Sequence, residues 1–222
     1  MSAGVRIDAQ AEMQVAEQFD SAVQQHQAAT FGVWIFLATE LMFFGPLFLG
    51  YVYGRMHFSE AFGAASRHTD IALGTLNTAL LLTSSATMAA ATVARKVSAR
   101  VAVWLLLATA LLGIGFLVVK GMEYHKEWDE ALFPGARFSF EAAYADGAQM
   151  FFFLYFALTG LHALHLFIGV TLTLFFTFNL RRGRTLFANE EKLEILALYW
   201  HFVDLVWIFL YPMLYLIQRG GG

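Results

Sequence analysis

The sequence predicts an all-α integral membrane protein, a bundle of five transmembrane helices. Three observations carry that prediction. Hydrophobic residues make up 59% of the 222 positions, and the mean hydropathy is +0.58, more apolar than a water-facing surface allows. The apolar residues gather into five long blocks, each able to cross a hydrocarbon core about 30 Å thick, which takes about 20 helical residues. No run of short alternating segments suggests a barrel, and helices satisfy their backbone groups internally, as lipid requires.

Residues 1–29, with Asp8, Glu12, Glu17 and Asp20, read as a polar leader without the apolar core of a cleavable signal. The first span is expected over 30–53, with Trp34 near one end and Tyr51 and Tyr53 near the other as interfacial aromatics. Pro46 inside it predicts a kink. The second span, 70–94, is rich in Ala, Ser and Thr, which favour close helix packing. A basic turn (Arg95, Lys96, Arg100) leads to the third span, 101–119. The longest loop follows over 120–147, acidic through Glu123, Glu127, Asp129, Glu130, Glu141 and Asp146, with a turn at Pro134-Gly135. The fourth span, 148–178, is long enough to tilt, and its MFFFLYF opening reads as lipid-facing or interfacial. The fifth covers 193–217, and 218–222 form a short tail. The main domain is thus 30–217.

Positive charge sets the orientation. The leader side holds Arg6, Arg95, Lys96, Arg100, Arg181, Arg182, Arg184 and Lys192; the other holds Arg55, Arg67, Lys120, Lys126, Arg137 and Arg219. The clusters in short loops place the N-terminus in the cytoplasm and the C-terminus outside. Nothing resembles a basic nucleic-acid surface, and nucleic acid is not an expected partner. The lack of cysteine excludes disulfides, cysteine-held iron–sulfur clusters and thiolate copper.

Candidate functional residues are the ionisable and polar groups at membrane depth, where each is costly and usually paired. Glu40 lies mid-span. His162 and His165 share a face of the fourth span, as His201 and Asp204 do in the fifth. Asn77 lies between Thr75 and Thr78, and Glu123 is one turn from Lys120, where the two could pair or snorkel. Three readings of this set stand side by side: a structural network across helices, a proton or lipid-headgroup site around Glu40, and metal or haem ligation, for instance by His165 with His201. His57, His68 and His125 read as solvated loop residues. No P-loop, HExxH, GxSxG or dinucleotide fingerprint occurs.

Five segments in order resemble subunit III of the haem-copper respiratory oxidases: FLATELMFFGPLF at 36–48, GTLNTALLLTSS at 74–85, KGMEYHKEW at 120–128, TGLHALHLFIG at 159–169 and YWHFVDLVWIFLYP at 199–212. The resemblance is to the five-helix form found in bacterial cytochrome c and quinol oxidases. It places Glu40 on the family's buried glutamate, His162 and His165 on its paired histidines, and His201 and Asp204 on its last helix's histidine and aspartate. Ala163 stands where the family usually has glycine. The resemblance implies a bacterial inner-membrane subunit with no haem or copper of its own and with bound phospholipid. Its partners would be catalytic subunit I, other oxidase subunits and membrane lipid. Its role would be to stabilise subunit I and support its proton uptake in aerobic respiration. The motifs are shared by subunit III-like proteins that accompany nitric oxide reductases. An independent transporter or haem-binding electron carrier is the reading from another class.

Overall fold

The computed structural model describes residues 22–135, 137–184 and 188–216. Most of the expected leader and the 218–222 tail lie outside the described residues. The chain divides into two compact units, 1–43 and 44–222. In the first, the described residues form the opening part of helix α1 (Ala22–His57), which starts before the expected Thr30 and continues through Pro46. The second unit contains the rest of α1, then α2 (Ser59–Ser66), α3 (Ile71–Arg95), α4 (Ala99–Asp129), α5 (Ala145–Arg181), α6 (Glu190–Tyr211) and a π-helical turn, Pro212–Leu216. Among the described residues five helices are long and apolar enough to cross a membrane, making this a multi-pass membrane protein.

Local chemistry explains the boundaries. Asp70 caps α3 by accepting from the Ala72 and Leu73 N–H groups at 3.0 and 3.3 Å. Asn189 caps α6 by accepting from Lys192 N–H at 2.9 Å, with Glu190 and Glu191 in the favourable first turn. Ala131 (φ 56°) terminates α4 in the left-handed region, and Gly183 (φ 65°) follows α5 in the same conformation without side-chain strain. At Pro212 the chain lacks an N–H, so the α ladder cannot continue there and the last turn widens to a π-turn.

Helices α3, α4, α5 and α6 pack in a closed ring: α3 on α4, α4 on α5, α5 on α6 and α6 back on α3. Residues 96–98, 182–184 and 188–189 lie at one end; 58–70, 130–135 and 137–144 lie at the other, the long-loop end. Leu81, Met88, Leu106, Phe116, Trp200 and Trp207 fill the centre. Gly113 lets α4 approach closely, because a Cβ there would meet Val170 at 2.8 Å and Trp200 at 3.0 Å.

Several expectations need correction. The third span does not end at Val119; α4 runs ten residues further, to Asp129. Its 31 residues would span about 46 Å at 1.5 Å per residue, well beyond the hydrocarbon core. His125 therefore lies in a helix, and His57 is the last residue of α1, although both remain exposed. The MFFFLYF run is mostly core: Phe151, Phe152 and Tyr155 are buried while Phe153 faces outward. Burial comes from α2, which packs on α5, and from the loop residues Phe138 and Phe140 against Phe152. Tyr51 is also core, donating its hydroxyl to the Met213 carbonyl, so it is no interfacial belt residue.

Candidate functional site: the buried polar core

Polar side chains in and around the ring include three groups. The first joins α3 to α6. Trp200 Nε1 donates to Ser84 Oγ at 3.1 Å, and Trp207 Nε1 to Thr78 Oγ1 at 3.0 Å. Ser85 Oγ bonds His201 Nδ1 at 2.8 Å, and Thr75 Oγ1 bonds the Tyr211 hydroxyl at 2.6 Å. Related single bonds tie Thr87 to Thr109, Tyr124 to Thr159, and the Tyr199 hydroxyl to the His165 carbonyl. With little hydrophobic drive between helices in lipid, such bonds and close packing orient the elements.

The second group lies at the long-loop end. Lys120 Nζ donates to Glu123 Oε2 at 2.9 Å and to the Tyr155 and Tyr215 hydroxyls at 2.7 Å each. Tyr215 in turn donates to Glu123 Oε1 at 2.7 Å. The ammonium also lies 4.4 Å from the Tyr155 ring centroid. This pair is 2% and 1% exposed, so Lys120 does not snorkel to water. The π-turn after Pro212 brings Tyr215 to it. Glu127, one further turn along α4, is 3% exposed.

The third group is buried without direct bonds. Among the described residues, the side-chain polar atoms of Asn77, His162 and Asp204 meet no hydrogen-bond partner. His162 packs between aromatic rings, 5.1 Å from Trp207 and 5.4 Å from Phe116. The Ser85 hydroxyl, bonded to His201, also faces Asp204, although neither Asp204 oxygen meets hydrogen-bond geometry with it. His165 Nδ1 turns back to the Leu161 carbonyl at 2.8 Å. Neither His162 nor Asp204 bonds the other or His165 or His201 directly, and His201 bonds Ser85 on α3. Glu40 lies on α1 in the first unit, partly exposed.

Sequence reasoning missed Tyr155, Tyr215 and Glu127 as members of the Lys120 cluster. For Glu127 the signal was present, since positions 120, 123 and 127 fall on one helical stripe. Ser84 and Ser85 gave no comparable signal, because their partners lie over a hundred residues away. Among the described residues no three His, Asp or Glu side chains are grouped to hold a metal ion, and the sequence contains no cysteine.

Comparison with known proteins adds independent evidence. The family model described as cytochrome c oxidase subunit III matches residues 5–218. The chain is 32% identical to cytochrome c oxidase subunit 3 of Bacillus sp. (strain PS3), over 86% of each chain. It is 31% identical to quinol oxidase subunit 3 of Bacillus spizizenii, over 94% of this chain and all of that one. It is 30% identical to the haem-copper oxidase subunit I+III of Aeropyrum pernix, over 83% of this chain but only 22% of that longer protein. The order of the five motif segments, the five-helix architecture and the match over nearly the whole length agree: this chain belongs to the cytochrome c oxidase subunit III family.

Proposed function

We propose that this chain is the cofactor-free third subunit of a haem-copper terminal oxidase, seated beside the catalytic subunit, stabilising it and supporting its proton uptake during oxygen reduction. The observation that carries this reading is the Aeropyrum pernix relative, whose name joins subunit I and subunit III in a single protein. A segment resembling this chain is there tethered to a catalytic subunit, which supports a one-to-one partnership. The structure contributes a physical rationale. A ring of helices held by internal bonds keeps a fixed shape, while large apolar side chains such as Trp104, Leu111, Phe167 and Phe209 point outward toward lipid or a neighbouring subunit.

The proposed setting is a bacterial inner membrane, with the N-terminus in the cytoplasm and the long-loop end outside, following the positive charge of the short loops. Glu40, Asn77, Glu123, His162, His165, His201 and Asp204 are assigned to internal geometry, lipid contact or proton support rather than to a catalytic centre. Bound phospholipid and other oxidase subunits complete the proposed surroundings.

Purification of the tagged chain from its native membrane in mild detergent tests the proposal. Mass spectrometry and an optical spectrum should reveal a haem-copper oxidase subunit I in roughly equal amount. A nitric oxide reductase subunit in its place would redirect the assignment to nitrogen-oxide chemistry. A chain isolated alone, or one carrying its own haem, would overturn the accessory role.

A further inference from the structure

The cluster at the long-loop end contains one cationic and two acidic side chains in a place closed to water. Helix α4 presents Lys120, Glu123 and Glu127 along one stripe, and all three are buried. The ammonium commits its three donors to Glu123, Tyr155 and Tyr215. The second oxygen of Glu123 accepts from Tyr215. Glu127 receives none of these bonds: neither of its buried oxygens meets hydrogen-bond geometry with a partner among the described residues, although the Tyr155 hydroxyl faces it as a hydrogen-bonding neighbour and the Lys120 charge lies nearby. A bare carboxylate is among the costliest groups to bury, and a neutral acid far less so.

A single positive charge would neutralise the cluster. A metal ion fits poorly, because it would have to sit beside the Lys120 ammonium, and no group of three ligating side chains assembles among the described residues. A proton needs no coordination shell. We propose that Glu127 is a proton-binding site, holding one proton in the native bundle beside the neutral Lys120–Glu123 pair and exchanging it with the aqueous face at the long-loop end. The step is the addition of H⁺ to a carboxylate to give a carboxylic acid, with no change of oxidation state.

The surroundings provide both fixed charge and a short exit. On α4 itself Lys120 and Glu123 face the site, with Glu130 just beyond the helix. Helix α5 contributes the Tyr155 hydroxyl, with His162 deeper and within the field of Lys120. The C-terminal π-turn contributes Tyr215, 2.7 Å from both Lys120 and Glu123. At the start of α3, Asp70 is bonded to Lys126, the residue preceding Glu127. Exposed Asp129 and Glu130 lie within one turn of Glu127, so a released proton has adjacent carboxylates in water to receive it.

The test is infrared spectroscopy of the full chain with its co-purifying partners in lipid nanodiscs. At neutral pH the wild type should show a carboxylic-acid C=O stretch that moves in D₂O, disappears at alkaline pH and is missing from Glu127→Gln. Gln copies the neutral acid, so this variant should accumulate normally. If it does not, Glu127→Asp in glutamate-labelled protein replaces it: a lost or displaced band supports the site, and an unmoved band overturns it. Replacing sodium with choline should leave the wild-type band unchanged. A Glu127 that contributes only carboxylate stretches at neutral pH, or a band abolished by sodium, would overturn the proposal.

Discussion

Lys120→Met tests how the bundle keeps an ion pair in its interior. The substitution preserves most of the side chain's length but removes the three Nζ hydrogen bonds, at 2.9, 2.7 and 2.7 Å. Glu123, 1% exposed, is then left with the Tyr215 hydroxyl as its remaining partner among these contacts. Stranding one member of a buried pair typically costs about 3–5 kcal/mol, whereas replacing both by apolar groups of similar volume is about neutral. Lys120→Met should therefore destabilise by that amount, and Lys120→Met with Glu123→Leu should recover most of the loss. Reversible unfolding in mixed detergent micelles, followed by the fluorescence of buried Trp200 and Trp207, measures both. A single-variant cost below about 1 kcal/mol, the range of exposed ion pairs, would refute the reasoning. So would a double variant no more stable than the single one.

Three further outcomes are expected in the same assay. Trp207→Phe keeps a ring against Phe116 and His162 but removes the bond to Thr78, and should cost about 1 kcal/mol. At Asp70, partial burial alone would raise the carboxyl pKa, but the Leu73 N–H, Lys126 and the Ala72 N–H together hold it below its ordinary value of 3.8. Its stabilisation is full above that value and lost as pH falls through the lower native one. Asp70→Ala should cost about 1 kcal/mol at neutral pH, and the difference from wild type should close under acid. Asp204→Leu removes a buried carboxylate that has no bonded partner among the described residues, and isolated-chain stability should stay within about 1 kcal/mol or rise. A loss of several kcal/mol would show that Asp204 is held by a partner within the bundle.

The five spans were legible because twenty-residue apolar blocks have few alternatives in lipid. Their ends were less so. Reading Lys120 as the start of a loop treated charge as a sign of water, yet Lys120, Glu123 and Glu127 face the ring while Met122 and Lys126 on other faces are exposed. Helical periodicity continues through the change in composition, and it was the better guide. The aromatic run at 150–156 was ambiguous for a related reason: in a membrane, apolarity does not distinguish a core-facing side chain from a lipid-facing one. Helix α2 went unread because its eight residues are too few for a span, although six of them are buried. At the site, the sequence located the costly groups but not their partners, since pairing depends on how each helix is rotated.

That rotation is specified jointly by α3 and α6. Ordered along the bundle, the bonds join Trp200 to Ser84, His201 to Ser85, Trp207 to Thr78 and Tyr211 to Thr75. Between the outermost pairs the residue number rises by eleven on α6, from 200 to 211, and falls by nine on α3, from 84 to 75. This is the register of two antiparallel helices advancing at nearly the same rise. A slip of one turn, about 5.4 Å, would break all four bonds together and leave two indole N–H groups buried without acceptors. Apolar packing alone would penalise the slip only weakly, because Leu, Phe and Val are equally at home against a neighbour or a lipid tail. The hydroxyls and indoles therefore set which face of α6 meets α3. They also hold Trp207 against His162 and bring the following π-turn, with Tyr215, to Lys120.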